Sequence, residues 1–138
     1  MTYAGDISPN ETWRGLTDDP ASILIDVRTR AEWMLVGTPT LSSLGKKVVF
    51  IEWQGLDGAP NPDFSTDLED VVGGGFIGNA YFICRSGARS RDAAIAMTAQ
   101  GWKNCFNVAD GFEGPVDENR QRGRLNGWKA DGLPWFQN

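Results

Sequence analysis

The sequence predicts an α/β domain with a mainly parallel sheet, and three observations carry that prediction. Residues 23–27 and 80–84 are nearly continuous apolar runs, the mark of strands buried on both faces. Strand-like and helix-like stretches alternate along the chain with connections of crossover length. The stretch Tyr81-Phe82-Ile83-Cys84-Arg85-Ser86-Gly87-Ala88-Arg89-Ser90-Arg91-Asp92-Ala93-Ala94 passes from an apolar run through a small polar loop directly into an alanine-rich helical pattern.

Taken in order, residues 3–7 form a first, peripheral strand. Ser8-Pro9-Asn10-Glu11 has the spacing of a capping box with proline at the first helical position. The helix it starts carries Trp13 and Leu16 inward and ends at Asp18-Asp19-Pro20. After the strand at 23–27, residues 28–33 are expected to make one helical turn, with Arg28 and Glu32 at ion-pair spacing. Asp26 lies near a strand's carboxyl end, where open α/β sheets place ligands. A structural hydrogen bond that ties down the turn is the favoured role for it, and a functional one stays open.

Residues 47–53 form the next strand, and 55–62 a turn-rich loop with two prolines and two glycines. A helix is predicted over 62–72, with Phe64, Leu68, Val71 and Val72 on one face and Thr66 and Glu69 at capping-box spacing. Gly73-Gly74-Gly75-Phe76-Ile77-Gly78 formally matches GxGxxG. It follows a helix and precedes a strand, the reverse of the order dinucleotide binding needs, so it is expected to be a connection.

The strand at 80–84 is expected at the centre of the sheet, and a helix from 90 to about 100 turns Ala94, Met97 and Thr98 toward it. Gly101 supplies the stop. Residues 105–108 form the last strand. Cys105 in its interior is expected to pack in the core, with a resolving-cysteine role as the lesser alternative. Residues 110–115 turn the chain back across the sheet's edge, and the charged stretch 117–124 is expected to be solvated. The tail 127–136 is too aromatic for a free end. It is expected to cover core apolar surface, and a further role as pocket wall or partner contact stays open. The whole chain, 1–138, is thus expected to be a single domain with an aromatic C-terminal tail (about 115–138) packed on it.

Composition narrows the function. A chain of 138 residues, 41 % of them hydrophobic, can bury a core of its own. Net charge is −5, from 18 acidic against 13 basic residues, which argues against nucleic acid or an anionic membrane as partner. No apolar run approaches a membrane span and the first residues lack the pattern of a signal peptide, so a cytoplasmic location is the expectation. Two cysteines without CxxC spacing give neither a disulfide framework nor a zinc site, and no metal or cofactor is expected. The chain has no histidine, which excludes Ser-His, Cys-His and HExxH chemistry.

Any nucleophile must therefore be activated by its surroundings, and Cys84 has the right ones. A strand that ends in a cysteine and turns into a helix aims the thiol at unpaired backbone N–H groups and the positive end of the helix dipole. Arg85, Arg89 and Arg91 add positive potential, so the nucleophilic thiolate is favoured there. A small buried hydrophobe is the plain alternative for Cys84. Three arginines within seven residues argue against it, because a packed interior does not accept them unpaired.

Residues Cys84 to Ser90, with the strand before and Arg91-Asp92-Ala93-Ala94 after, closely resemble the active-site loop of single-domain rhodaneses (thiosulfate sulfurtransferases). Leu24-Ile25-Asp26-Val27-Arg28 with Glu32, and Asn107-Val108-Ala109-Asp110-Gly111-Phe112, agree with the same family in the same order. The resemblance implies a rhodanese-like sheet of five strands with helices on both faces, and a scaffold role for Asp26. It implies a catalytic Cys84 that carries a persulfide, and a substrate loop of Arg85, Ser86, Gly87, Ala88, Arg89 and Ser90. Arg85 and Arg89 are suited to hold an oxyanionic donor. The implied partners are a small anionic sulfur donor and a thiophilic acceptor, whether a small thiol, cyanide or an acceptor protein. Phosphatases and arsenate reductases of the same fold are the first alternative. The phosphatases need an arginine at the sixth position after the cysteine, where this chain has Ser90. A module that keeps the shape for docking or redox sensing is the other.

Overall fold

Four parallel pairings build the central sheet of the computed structural model, which describes residues 2–115, 118–122 and 125–137. In chain order the elements are β1 (Gly5–Ile7), α1 (Pro9–Asp18), β2 (Ile23–Asp26), α2 (Arg30–Val36), β3 (Thr38–Pro39), β4 (Val49–Phe50), α3 (Phe64–Val72), β5 (Asn79–Ile83), α4 (Ala88–Ala99), β6 (Asn104–Val108) and β7 (Trp135–Phe136). The five-stranded sheet has the order β1-β6-β5-β2-β4, so β5, which leads into Cys84, lies at its centre. β3 and β7 form a separate two-stranded antiparallel ribbon.

The alternation of the strands sorts the core into two layers. Ala80, Phe82 and Cys84 point to the face covered by α3 and α4, where they meet Phe64, Leu68, Ala93, Ala94 and Met97. Tyr81 and Ile83 point to the opposite face, against Leu16 of α1 and the C-terminal Trp128. Helices on both faces are what the continuous apolar runs of β2 and β5 require, since neither side can face water.

The capping box at Ser8 forms as expected: Glu11 N–H donates to Ser8 Oγ at 3.1 Å, and Ser8 N–H to the Glu11 carboxylate at 3.1 Å. A second box, at Thr29 and Glu32, starts α2 and makes it a seven-residue helix rather than one turn. The strand expected over 47–53 shortens to Val49–Phe50, because β4 is an edge with one neighbour. In α3, Phe64 and Leu68 are buried and Val72 packs on the core, but Val71 is 64 % exposed. The expected Thr66–Glu69 box is absent; the helix opens at Phe64, which places Thr66 inside it. Helix α4 begins two residues before the expected Ser90, at Ala88.

The expected ion pair between Arg28 and Glu32 does not form. Arg28 instead turns back to Asp26, with both side chains fully buried, and Nη2 lies 2.7 Å from Oδ2. Asp26 Oδ1 also accepts from the Arg28 backbone N–H at 3.1 Å, so it ties down the turn after β2. Arg28 Nη2 donates to the Gly37 carbonyl at 2.9 Å, and the guanidinium lies 4.3 Å from the Phe112 ring centroid. Removing one partner leaves the other charge buried and alone. Asp26→Ala is therefore expected to cost about 3–5 kcal/mol of stability by urea denaturation. A loss below about 1 kcal/mol would contradict the pairing.

The aromatic tail packs on the second layer. Trp128 is fully buried, meets Trp13 edge-on at 6.0 Å, and donates its indole N–H to the Pro134 carbonyl at 2.7 Å. Lys129 donates to the Val36 carbonyl at 2.9 Å and lies 4.0 Å over the Trp135 ring. The tail thus fastens the end of α2. Part of the charged stretch expected to be solvated, residues 117, 123 and 124, lies outside the described residues. Arg122 within it is half-buried and donates to the Gly114 carbonyl at 2.9 Å.

Candidate active site

β5 ends at Ile83, and the next residue, Cys84, is 1 % exposed. The loop then curls around its sulfur. Gly87 N–H donates to Sγ at 3.2 Å and Ser90 N–H at 3.4 Å. Ser90 Oγ lies 3.2 Å from the same sulfur. Gly87 makes the curl possible, with φ of 109° as it caps α4. A Cβ there would strike the Ala109 carbonyl. Two amides from the first turn of a helix thus converge on one sulfur, a setting that favours an anion on it.

The outer side of the loop is held by the turn after β6. Phe112 N–H donates to the Cys84 carbonyl at 2.8 Å, and Glu113 and Gly114 N–H to the Arg85 carbonyl at 3.0 and 3.1 Å. Gly111, with φ of 66°, lies so close that a side chain would meet the backbone of Cys84 and Arg85. The segment 107–112, which carries part of the family resemblance, is thus the backing of the cysteine loop.

The expected loop residues separate in the structure. Ser86 and Ala88 lie exposed on the rim, while Ser90 is fully buried. Arg91 points outward and is exposed. Arg89 lies in a two-point ion pair with Glu32, at 2.6 and 3.0 Å, so a carboxylate already fills its fork. Arg85 is exposed, and among the described residues it has no ion pair. Arg85, Arg89, Thr29, Glu32, Glu113 and Arg122 are among the residues that line a cleft of about 460 Å³ over the loop. A more apolar hollow between Trp33, Met34, Phe50 and Phe136 includes none of the loop residues.

The Glu32 carboxylate is pulled two ways. Burial raises its pKa, but hydrogen bonds from Arg89 and from the Thr29 backbone, with the Arg89 charge, outweigh this and hold it at about 2 against an ordinary 4.5. A folded-state value below the unfolded one gives stability that is present above about pH 4.5 and lost as pH falls toward 2. Glu32→Gln should therefore lower the urea midpoint at neutral pH and flatten its decline between those values. An unchanged acid limb in that variant would contradict the ion pair's role.

Cys105 lies on β6, fully buried among apolar side chains. Burial pushes its thiol up, which disfavours the nucleophilic form. Two further residues near the loop are not evident from local sequence. Arg122 reaches the cleft from the C-terminal segment. Asn107 lies buried on β6 beside the loop; the sequence marks it only as the first residue of the 107–112 segment that shares the family resemblance, and nothing local gives it a role at the cysteine. Among the described residues no group of three or more His, Cys, Asp or Glu side chains could hold a metal ion, and no helix is long and apolar enough to cross a membrane.

The sequence profile of the STR4 middle domain matches residues 4–138. The chain belongs to that family. An uncharacterized protein of Rickettsia conorii is 41 % identical to this chain over 87 % of it and 87 % of its own length. Rhodanese-like domain-containing protein 4 of Arabidopsis thaliana, a chloroplast protein, is 30 % identical over 88 % of this chain, which spans 23 % of that protein. The crystal structure of Rv0390 from M. tuberculosis superposes with a TM-score of 0.90 at 47 % identity, covering 99 % of both chains. The polysulfide-sulfur transferase of Wolinella succinogenes, a homodimer in solution, superposes at 0.63 with 20 % identity over 96 % of this chain and 78 % of its own. At that identity the likeness concerns the fold, and the fold of this chain is rhodanese-like: the sequence predicts a mainly parallel sheet, the resemblance implies five strands, and the five strands found pair in parallel throughout.

Proposed function

We propose that this protein is a sulfurtransferase that carries a sulfane sulfur on Cys84. One observation carries the reading: the amides of Gly87 and Ser90 converge on Cys84 Sγ at the end of the central strand. The Cys84 thiolate attacks the outer sulfur of a donor such as thiosulfate. The donor's S–S bond breaks, its electron pair leaves with sulfite, and Cys84 is left as an anionic persulfide. A thiophilic acceptor then attacks the outer sulfur, and the pair of the broken bond returns to Sγ as thiolate. Loop amides suit both anionic states, and neither step needs a histidine. The names of rhodanese-like and sulfur-transferase relatives support the same chemistry.

Donor capture falls chiefly to Arg85, which faces the cleft without an ion pair among the described residues; Arg89 contributes its charge from within the pair with Glu32. Ser86, Gly87, Ala88 and Ser90 complete the substrate loop, and a small thiol, cyanide or an acceptor protein takes the sulfur. Phosphoryl transfer is disfavoured by the same pair, because an arginine held by a carboxylate is not a free clamp. Arg85→Ala should raise KM for thiosulfate more than it lowers kcat, the mark of lost ground-state binding, and should affect an uncharged donor much less. Equal losses with both donors would contradict that role. Release of thiocyanate from thiosulfate and cyanide tests the proposal as a whole; a wild-type protein inert with every small donor, or one that efficiently cleaves an aryl phosphate, would overturn it.

A further inference from the structure

Behind the cysteine loop lies a chain of polar groups that the transfer chemistry does not use. Asn107 Nδ2 donates to Asp6 Oδ1 at 3.0 Å and to the Gly87 carbonyl at 3.1 Å. Asp6 is held in turn by the Tyr3 hydroxyl at 2.8 Å. Both partners of the Asn107 nitrogen are pure acceptors, so the amide has one allowed orientation. Reversing it would set its oxygen against a carboxylate and a carbonyl. Its Oδ1 therefore faces Ser90 Oγ, 2.6 Å away, and must accept from it. A serine hydroxyl has one proton. That proton is taken by Asn107, so Ser90 turns lone pairs toward Cys84 Sγ at 3.2 Å.

From this we infer that Asn107 is a positioning residue for Cys84: it withholds the Ser90 proton from the sulfur, so that the resting thiol donates S–H to Ser90 Oγ. The thiolate then keeps the two loop amides but gains the hydroxyl only if Ser90 swings its proton away from Asn107. When Cys84 ionises, its proton leaves to solvent and the hydroxyl proton moves only by rotation. No other bond changes. The network thus works against charge on Sγ. It does not work against a persulfide, whose charge lies on the outer sulfur. This consequence rests on the sulfurtransferase reading; the hydrogen-bond direction itself does not.

Charged groups of the loop and of the elements packed around it include Arg85, Arg89, Arg91 and Asp92 of the loop and α4, Asp6 behind Asn107, Asp26 with Arg28 at the end of β2, Glu32 of α2 and Glu113 of the turn after β6. Ser90→Ala alters none of them and nearly preserves volume, so it isolates the hydroxyl.

The test titrates Cys84 by carbon-13 NMR of cysteine-labelled protein, which distinguishes it from Cys105 and needs no sulfur transfer. Ser90→Ala removes the acceptor of the thiol and should move the Cys84 transition to lower pH by roughly half a unit or more, the scale of one hydrogen bond. Asn107→Leu frees the Ser90 proton and should move it in the same direction. In the Ser90→Ala background the Asn107 substitution should have no further effect, a dependence that a merely structural role would not produce. A transition in Ser90→Ala that stays in place or moves to higher pH would overturn the inference, whether or not the protein transfers sulfur. That arm stands alone if Asn107→Leu fails to fold.

Discussion

Cys84→Ser should abolish sulfur transfer from thiosulfate to cyanide, by roughly 10³-fold or more, because a hydroxyl cannot take over from the thiol that carries the sulfur in the proposed mechanism. Cys105→Ser should keep the activity. Its thiol is fully buried on β6, on the α4 face of the sheet, away from the loop amides, and burial disfavours its thiolate. That variant should lose stability rather than rate, since a hydroxyl is a poorer fit to an apolar layer. Thiocyanate release by both variants, normalised to folded protein, makes the comparison. Activity retained by Cys84→Ser would contradict the assignment of the nucleophile.

Gly87→Ala is the second substitution of large expected effect. Three demands meet at this residue: φ of 109°, an N–H that donates to Cys84 Sγ at 3.2 Å, and a carbonyl that accepts from Asn107 at 3.1 Å. An added methyl would run into the Ala109 carbonyl, so the loop would have to move outward. A displacement of about 1 Å at a reacting centre costs about 10²-fold in rate, and one of the two amides on the sulfur goes with it. We expect a loss of about 10²-fold or more in kcat/KM, with a smaller effect on the thermal midpoint. Near-normal kinetics in Gly87→Ala would mean that the amide cradle does not contribute to catalysis.

What the sequence made legible follows the range of the interactions. The turn from β5 through Cys84 into α4 is built by neighbours in the chain, and its residue types announce it. The capping box at Ser8 is equally local. The Arg28–Glu32 spacing misled because helix geometry is only one claim on a side chain. Asp26, two residues away and fully buried, offers Arg28 a better partner, and Glu32 takes Arg89 from 57 residues away. Asn107 is less accessible still: its partners are Ser90 and Gly87, 17 and 20 residues away, and Asp6, 101 residues away on the edge strand. β4 fell short of its apolar run because edge position, not composition, limits its pairing.

The central claim is that Cys84 holds the transferred sulfur as a covalent intermediate, and the intact mass of the protein after exposure to thiosulfate tests it most directly. We expect a gain of one sulfur atom per chain, located to the peptide that contains Cys84 and removed by cyanide with release of thiocyanate. An unchanged mass, or a sulfur carried on Cys105 instead, would contradict the account.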